Sequence, residues 1–242
     1  MIQTVTGRVH DLDFGKAAAH EHVLVDFHAP SEPPRAYDRT EVVAIMRPYL
    51  DQLRGTGCRG FVDCTPIWLG RDPELLEQLS RLTGLHIVTN TGWYQAPMLP
   101  PEADRLNEEE IAAVWIDEAE NGIGSTGIKP GFIKIALNSG KLSDSARKIL
   151  GAAIRAAQAT NLVIVSHTVG SAAMLEAHDI MQARGFDLSR FVWAHADAAD
   201  GRDIQRQMAA EGIWISLDGI GSRHEQHAAM LKDLIAAGLA DR

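Results

Sequence analysis

The stretch Ala17-Ala18-Ala19-His20-Glu21-His22-Val23-Leu24-Val25-Asp26 sets two histidines one residue apart inside an apolar run. Residues two apart on a strand point to the same face, so a strand here aims both imidazoles at one point, as a metal ion requires. A helix would turn them about 200° apart, onto different faces. The pair therefore points to a strand ending at a metal site, and to a metallohydrolase.

Outward from that stretch, short apolar strands alternate with longer helical patterns. Strands are expected near 17–25, 58–64, 85–91, 131–137, 161–167, 190–195 and 213–218. Helices are expected near 39–55, 72–83, 106–121, 143–159, 171–184, 201–211 and 223–238. Arg39-Thr-Glu-Val-Val-Ala-Ile-Met-Arg47 has apolar residues at helical spacing, and Ser143 is an N-cap before good helix formers. Gly55, Gly57, Gly84, Gly127, Pro130, Gly185 and Gly212 mark the joints.

This alternation calls for a parallel sheet covered by helices, which a barrel and a doubly wound sheet both satisfy. No GxGxxG follows the first strand, so the dinucleotide fingerprint is absent. Polar residues recur instead at the C-terminal strand ends: His20, His22, Asp63, Thr89, Thr91, Lys134, His167, His195 and Asp218. In a barrel those ends form one ring, where barrel active sites sit, and that convergence favours the barrel. Residues 1–242 are expected to form a single domain, since barrels of this length are commonly one unit.

The formal charge of −9 argues against nucleic acid as the main partner, which needs clustered Lys and Arg. No apolar segment reaches the ~18 residues of a membrane span. Met1-Ile-Gln-Thr-Val-Thr-Gly7 has no basic region followed by an apolar stretch, so no leader is expected. Cys58 and Cys64, six apart on one strand, would be ~20 Å apart, too far for a disulfide. Free thiols suit a cytoplasmic location.

Lys134, in Gly131-Phe-Ile-Lys-Ile-Ala-Leu137, stands inside an apolar strand. A buried ammonium needs a partner or must change its charge. It can pair with a carboxylate, form a Schiff base, or be carboxylated into an anionic oxygen ligand. His167 ends Leu162-Val-Ile-Val-Ser-His-Thr168 and His195 ends Phe191-Val-Trp-Ala-His195. Each alone reads as a structural histidine. Four histidines and a lysine at the ends of strands one, four, five and six suit zinc or another divalent transition metal. His10, His86 and His178 lie away from the strand ends, and His28 can face the pocket from the loop after strand one. His224 and His227, three apart at a helix start, read as a solvated face.

The set His20-Glu21-His22, Lys134, His167 and His195 resembles the phosphotriesterase-like branch of the amidohydrolase superfamily. Leu69-Gly-Arg-Asp72, Asn90-Thr-Gly-Trp-Tyr94 and Gly122-Ile-Gly-Ser-Thr-Gly-Ile-Lys-Pro-Gly-Phe-Ile-Lys134 are similar to it as well, and the likeness runs from about Val5 to the last helix. The resemblance implies a (β/α)8 TIM barrel with two divalent metal ions, expected to be Zn2+. It implies that His20 and His22 hold the buried ion, that His167 and His195 hold the exposed one, and that carboxylated Lys134 bridges them. A hydroxide between the ions would attack a phosphorus or carbonyl centre. A homodimer is expected on the same ground.

The chain also departs from that family pattern. The family has an aspartate at the end of strand eight. Here only seven strand patterns precede Gly238-Leu-Ala-Asp-Arg242, so strand eight and its aspartate are expected to be missing and the chain to be an incomplete copy. Asp218 matches the end of strand seven and is not a substitute by alignment, and Asp241 is a poor one. Ala198 and Gly219 stand where the organophosphate-cleaving members have an aspartate and a histidine. A missing strand leaves unpaired edges, and barrel closure depends on strand number.

Three functions are weighed. The first is a metal-dependent hydrolase of a small-molecule ester, a lactone or carboxylic ester before a phosphotriester. Trp93, Tyr94 and Arg223 would then form the substrate pocket, with Arg71 a second cation near the mouth. The second is a catalytically incomplete metal-binding fragment. The third is a Schiff-base barrel built on Lys134, against which the four histidines speak.

Overall fold

Capping residues start the helices where the sequence pattern places them. Asp72 accepts the N–H of Leu75 ahead of Pro73, Ser143 accepts that of Ala146, and Asn107 forms a capping box with Glu110. The computed structural model describes residues 1–27, 32, 35–219, 221 and 223–242, so His28 lies outside the described residues.

An antiparallel hairpin, β1 (Ile2–Thr4) with β2 (Gly7–Val9), and a short helix α1 (Asp11–Phe14) come first. Neither was expected from the apolar pattern, because three-residue strands carry too little periodicity to show. The repeats then follow: β3 (Ala17–Glu21), α2 (Arg39–Gly55), β4 (Gly60–Asp63), α3 (Pro73–Thr83), β5 (His86–Val88), β6 (Asn90–Thr91), α4 (Glu108–Asn121), β7 (Phe132–Leu137), α5 (Asp144–Thr160), β8 (Val163–Thr168), α6 (Ser171–Ala183), β9 (Phe191–Ala194), α7 (Asp203–Ala210), β10 (Trp214–Ile215) and α8 (His224–Ala236).

β3, β4 and β5 pair in parallel, as do β6 through β10 in chain order. β5 and β6 are one segment interrupted at Thr89, which makes seven barrel strands. The fold is a (β/α)8 TIM barrel type with seven β/α units. Among the described residues β3 and β10 do not pair, so the ring is open between them.

The main core lies between the strands and the outer helices. Trp115 of α4, Ile133 and Ile135 of β7, Phe191 and Trp193 of β9 and Met181 of α6 meet there. Ala152, Ala153, Ala156 and Ala157 are fully buried, and their small side chains let α5 lie close to the sheet. A second cluster joins Leu50 of α2 and Leu75, Leu76 and Leu79 of α3 to Phe61 and Ile87. Inside the barrel, alternation stacks layers two residues apart. Val62, Phe132 and Val165 line a lower apolar cavity of about 380 Å³, which Ala19 and Trp214 also border beside the open seam. Cys64, Lys134 and His167, each two residues further on, line the upper one. No described helix is long and apolar enough to cross a membrane.

Candidate metal centre

His20 is the fourth residue of β3 and His22 lies just beyond the strand. The β3–β4 register shifts between Ala18 and Glu21, a bulge of the kind that re-aims side chains next to active sites. The two rings still converge, with centroids 5.6 Å apart. His22 Nδ1 contacts Thr65 Oγ1 at 2.8 Å, which leaves Nε2 as its free ligand atom. Buried Asp63 holds this corner by accepting the N–H of Val23 at 2.8 Å and of Thr65 at 3.0 Å.

Lys134 is central in β7 and 1% exposed, and its Nζ lies 3.2 Å from His20 Nε2. His167 is the last residue but one of β8, and its ring centroid is 4.4 Å from that of His195, which is 4.9 Å from that of His20. Strict alternation after Val192 would send Ala194, not His195, inward. His195 enters the cavity because its backbone turns left-handed, at φ +64°. That strained turn is held by its own N–H, which donates to Asp218 Oδ2 at 2.5 Å.

Asp218, one of the polar residues at the strand ends but no match for the strand-eight aspartate, lies against two of the histidines. Its Oδ1 is 3.3 Å from His20 Nδ1 and its Oδ2 is 3.2 Å from His195 Nδ1. His20, His195 and Asp218 offer ligand atoms all within 4.8 Å of one another, a candidate metal site. Its place at the end of the seventh strand pattern was the available signal.

The electrostatics suit cations held by neutral nitrogen. Desolvation, then the charges of His195 and Lys134, pushes His167 down to about 3. His22 keeps one side toward solvent, but desolvation and its neighbours His20, Lys134 and His195 push it down to about 4. Burial lowers His20 and Lys134 as well. Burial alone would raise Asp218, but hydrogen bonds from His195, His20 and Ser216 outweigh it and hold this carboxyl well below the usual range. Burial pushes the Cys64 thiol up to about 12, so it lines the cavity as a neutral group.

A pH dependence follows for the metal-free chain. In the folded state His22 and His167 stay neutral far below 6.5, whereas the unfolded chain takes up those protons near 6.5. The unfolded state therefore binds more protons between about 6.5 and about 3, and stability falls as the pH is lowered through that window. Melting temperatures at pH 7 and pH 4 should differ by on the order of 10 °C. His167→Gln should narrow the gap, and an unchanged gap would clear His167 of responsibility.

The upper cavity has a volume of about 180 Å³, lined by His20, His22, His167, His195, Lys134, Cys64, Tyr94, Phe27, Val25, Pro66 and Leu69. Of the pocket residues expected from sequence, the structure brings only Tyr94 there, 5.2 Å from His167 and 6.0 Å from Phe27 between ring centroids. Trp93 points the other way and packs edge-on against Trp115 in the outer core. Arg223 is not in the cavity lining, and its guanidinium lies 3.7 Å from Asp197. Arg71 is not at the mouth either. It is buried, pairs with both oxygens of Glu118 at 2.8 and 2.7 Å and donates to Asn90 O at 2.9 Å. Phe27, Val25, Pro66 and Cys64 line this cavity without a site role in the sequence pattern.

A sequence model of the phosphotriesterase family matches residues 1–242. The chain belongs to the phosphotriesterase family. A phosphotriesterase homology protein of Escherichia coli (strain K12) is 31% identical over 233 residues, covering 94% of this chain and 79% of that protein. An aryldialkylphosphatase of Saccharolobus solfataricus is 28% identical, over 93% of this chain and 75% of its own length. The human N-acetyltaurine hydrolase is 26% identical, over 91% and 72%. Among solved structures, a double mutant of the organophosphorus hydrolase from Deinococcus radiodurans superposes with a TM-score of 0.90 at 27% identity, covering all of this chain and 77% of that one. The family and these relatives are hydrolases. Family chemistry is binuclear and metal-dependent, and the described residues of this member form a candidate metal site.

Proposed function

We propose that this chain hydrolyses ester bonds, a lactone or carboxylic ester first and a phosphotriester second. His20, His22, His167, His195 and Lys134 would hold two divalent ions, and zinc is the ion that neutral imidazoles with an anionic oxygen ligand favour. The observation that carries this reading is the convergence of four imidazoles and a desolvated lysine on one cavity, His20 touching both Lys134 and Asp218. The donor set fits: imidazoles pushed far below 6.5 present lone pairs, and the only carboxylate among them is ionised. When bound, the ions supply acidified water as nucleophile and polarise the substrate oxygen.

The chain's own residues do the rest. Burial favours the neutral amine of Lys134, the form that reacts with carbon dioxide. A new N–C bond forms, one carbon–oxygen double bond opens to an oxyanion, and the nitrogen releases a proton. The resulting carbamate would supply an anionic oxygen ligand beside His20. Thr65 fixes the His22 ring and Asp218 orients those of His20 and His195. Tyr94, Phe27, Val25 and Leu69 wall the cavity with apolar surface, which suits an apolar acyl or aryl substituent. Buried free Cys58 and Cys64 support a cytoplasmic setting.

A second reading, a metal-binding fragment short of catalytic power, has its own support. The ring is open between β3 and β10. Among the described residues Asp218 is the carboxylate grouped with His20 and His195, and it is a weak base for accepting the nucleophile's proton. Metal analysis with lactonase, arylesterase, phosphotriesterase and amidase assays tests both readings, on this chain and on a version extended through an eighth strand. The first predicts bound divalent ions, turnover of an ester by both versions, and loss of that turnover with a chelator. Turnover by the extended version alone supports the second reading. Failure of either version to bind metal removes both.

A further inference from the structure

His227 was expected on a solvated helix face, and the structure buries it, at 5% exposure. Its Nε2 lies 3.0 Å from Oδ2 of Asp197, a carboxylate that is itself 4% exposed. A carboxylate only accepts, so Nε2 carries the proton. The other oxygen of Asp197 accepts the backbone N–H of Asp218 at 3.3 Å. Asp218 then reaches His195 through both its backbone N–H and Nδ1, and His20 through Nδ1. A chain of contacts thus runs from α8, through the turn after β9, to two histidines of the metal centre.

The same turn carries the left-handed His195. It is tied down by Gln205, whose Nε2 donates to Ala196 O at 2.7 Å, and by the Asp197–His227 pair. Gly219 makes room for that pair. A Cβ there would stand 2.7 Å from Asp197 Oδ2 and 3.1 and 3.3 Å from the His227 ring. Real Cβ atoms essentially never approach to 2.7 Å, so a side chain at 219 requires the Asp197 carboxylate or the segment carrying residue 219 to shift.

We infer that Asp197 and His227 are positioning residues for the metal centre: they hold the segment after β10 so that Asp218 stays between His20 and His195. Neither residue lines the cavity, so their effect passes through Asp218. The inference rests on the metal-site reading above and assigns to α8 a part in it.

The test is Co2+ affinity, measured by competition with a chelator, together with the visible absorption of the Co2+-loaded protein and a thermal melt. His227→Leu keeps bulk and removes the donor. His227→Gln restores a donor. Gly219→Ala keeps every donor and crowds the pair, and it decides the matter where leucine at 227 unfolds the chain. His227→Leu and Gly219→Ala should weaken Co2+ binding by about 10–100-fold and change the absorption spectrum, with glutamine recovering most of both. Wild-type affinity and spectrum in a folded His227→Leu or Gly219→Ala would overturn the positioning role. Absence of Co2+ binding by the wild type overturns the metal reading, and this inference with it.

Discussion

Replacing Lys134 by alanine or methionine should cut hydrolytic turnover by at least about a hundredfold and lower the bound divalent ions per chain. Lys134 is the one side chain of the centre that projects from the middle of a fully buried strand, so no loop can move to replace it. Its loss leaves His20 Nε2 without its 3.2 Å neighbour and removes the side chain proposed to bridge the two ions. Methionine separates the roles, because it fills the space without ligating, while alanine adds the cost of a cavity. Metal-free wild-type protein, reloaded in carbon dioxide-depleted buffer, should recover poorly until bicarbonate is added, whereas neither variant should respond. Full metal content and turnover in a folded Lys134→Met would sink the bridging role. Indifference of the wild type to bicarbonate would show that the amine works uncarboxylated.

Gly92→Ala should destabilise the fold by more than about 4 kcal/mol, enough to lower the melting temperature by over ~10 °C or prevent folding. Gly92 follows β6 at φ +105°, a backbone conformation that side-chain-bearing residues rarely adopt. A Cβ there would stand 2.1 Å from the carbonyl oxygen of Lys134 and 2.9 Å from its carbonyl carbon and nitrogen. All three are backbone atoms of a buried strand, so relief requires moving β6 or β7 itself. β6 is pinned from outside, by Arg71 on Asn90 O and by Thr91 Oγ1 donating to Glu118 at 2.5 Å. Gly201→Ala is the control: its φ is +84° but its Cβ would meet nothing within 4 Å, so it isolates the conformational cost of about 1–3 kcal/mol. Melts of the two variants that coincide would show that close approach to Lys134 is not what the glycine is for.

Much of the fold was legible in the residues. The N-cap at Ser143, the helical spacing of Arg39 to Arg47 and glycines at the joints placed the seven long helices within a few residues of where they lie. Apolar runs closed by a polar residue located the strands; the two-residue spacing of His20 and His22 gave them one face, and Lys134 and His167, read from their places at strand ends, reach the same cavity. His195 reaches it too, but through a left-handed turn that no alternation encodes. Trp93 and Tyr94 show the limit of reading by proximity: adjacent in sequence, they face opposite layers. Arg71 and Arg223 looked like cations at a mouth. One is instead a buried partner of Glu118, and the other lies against Asp197.

Local chemistry was enough to indicate the β/α repeat and the histidines and lysine that line the cavity. These depend on spacing within a few residues, which the linear order carries directly. The role of Asp218, the burial of His227 against Asp197, the register shift in β3 and the open seam between β3 and β10 emerged only with the folded arrangement. Each depends on which distant segments become neighbours when the ring of strands curves. A carboxylate 198 positions beyond a histidine, as Asp218 is from His20, has no local pattern to announce that the two will share a hydrogen atom's reach.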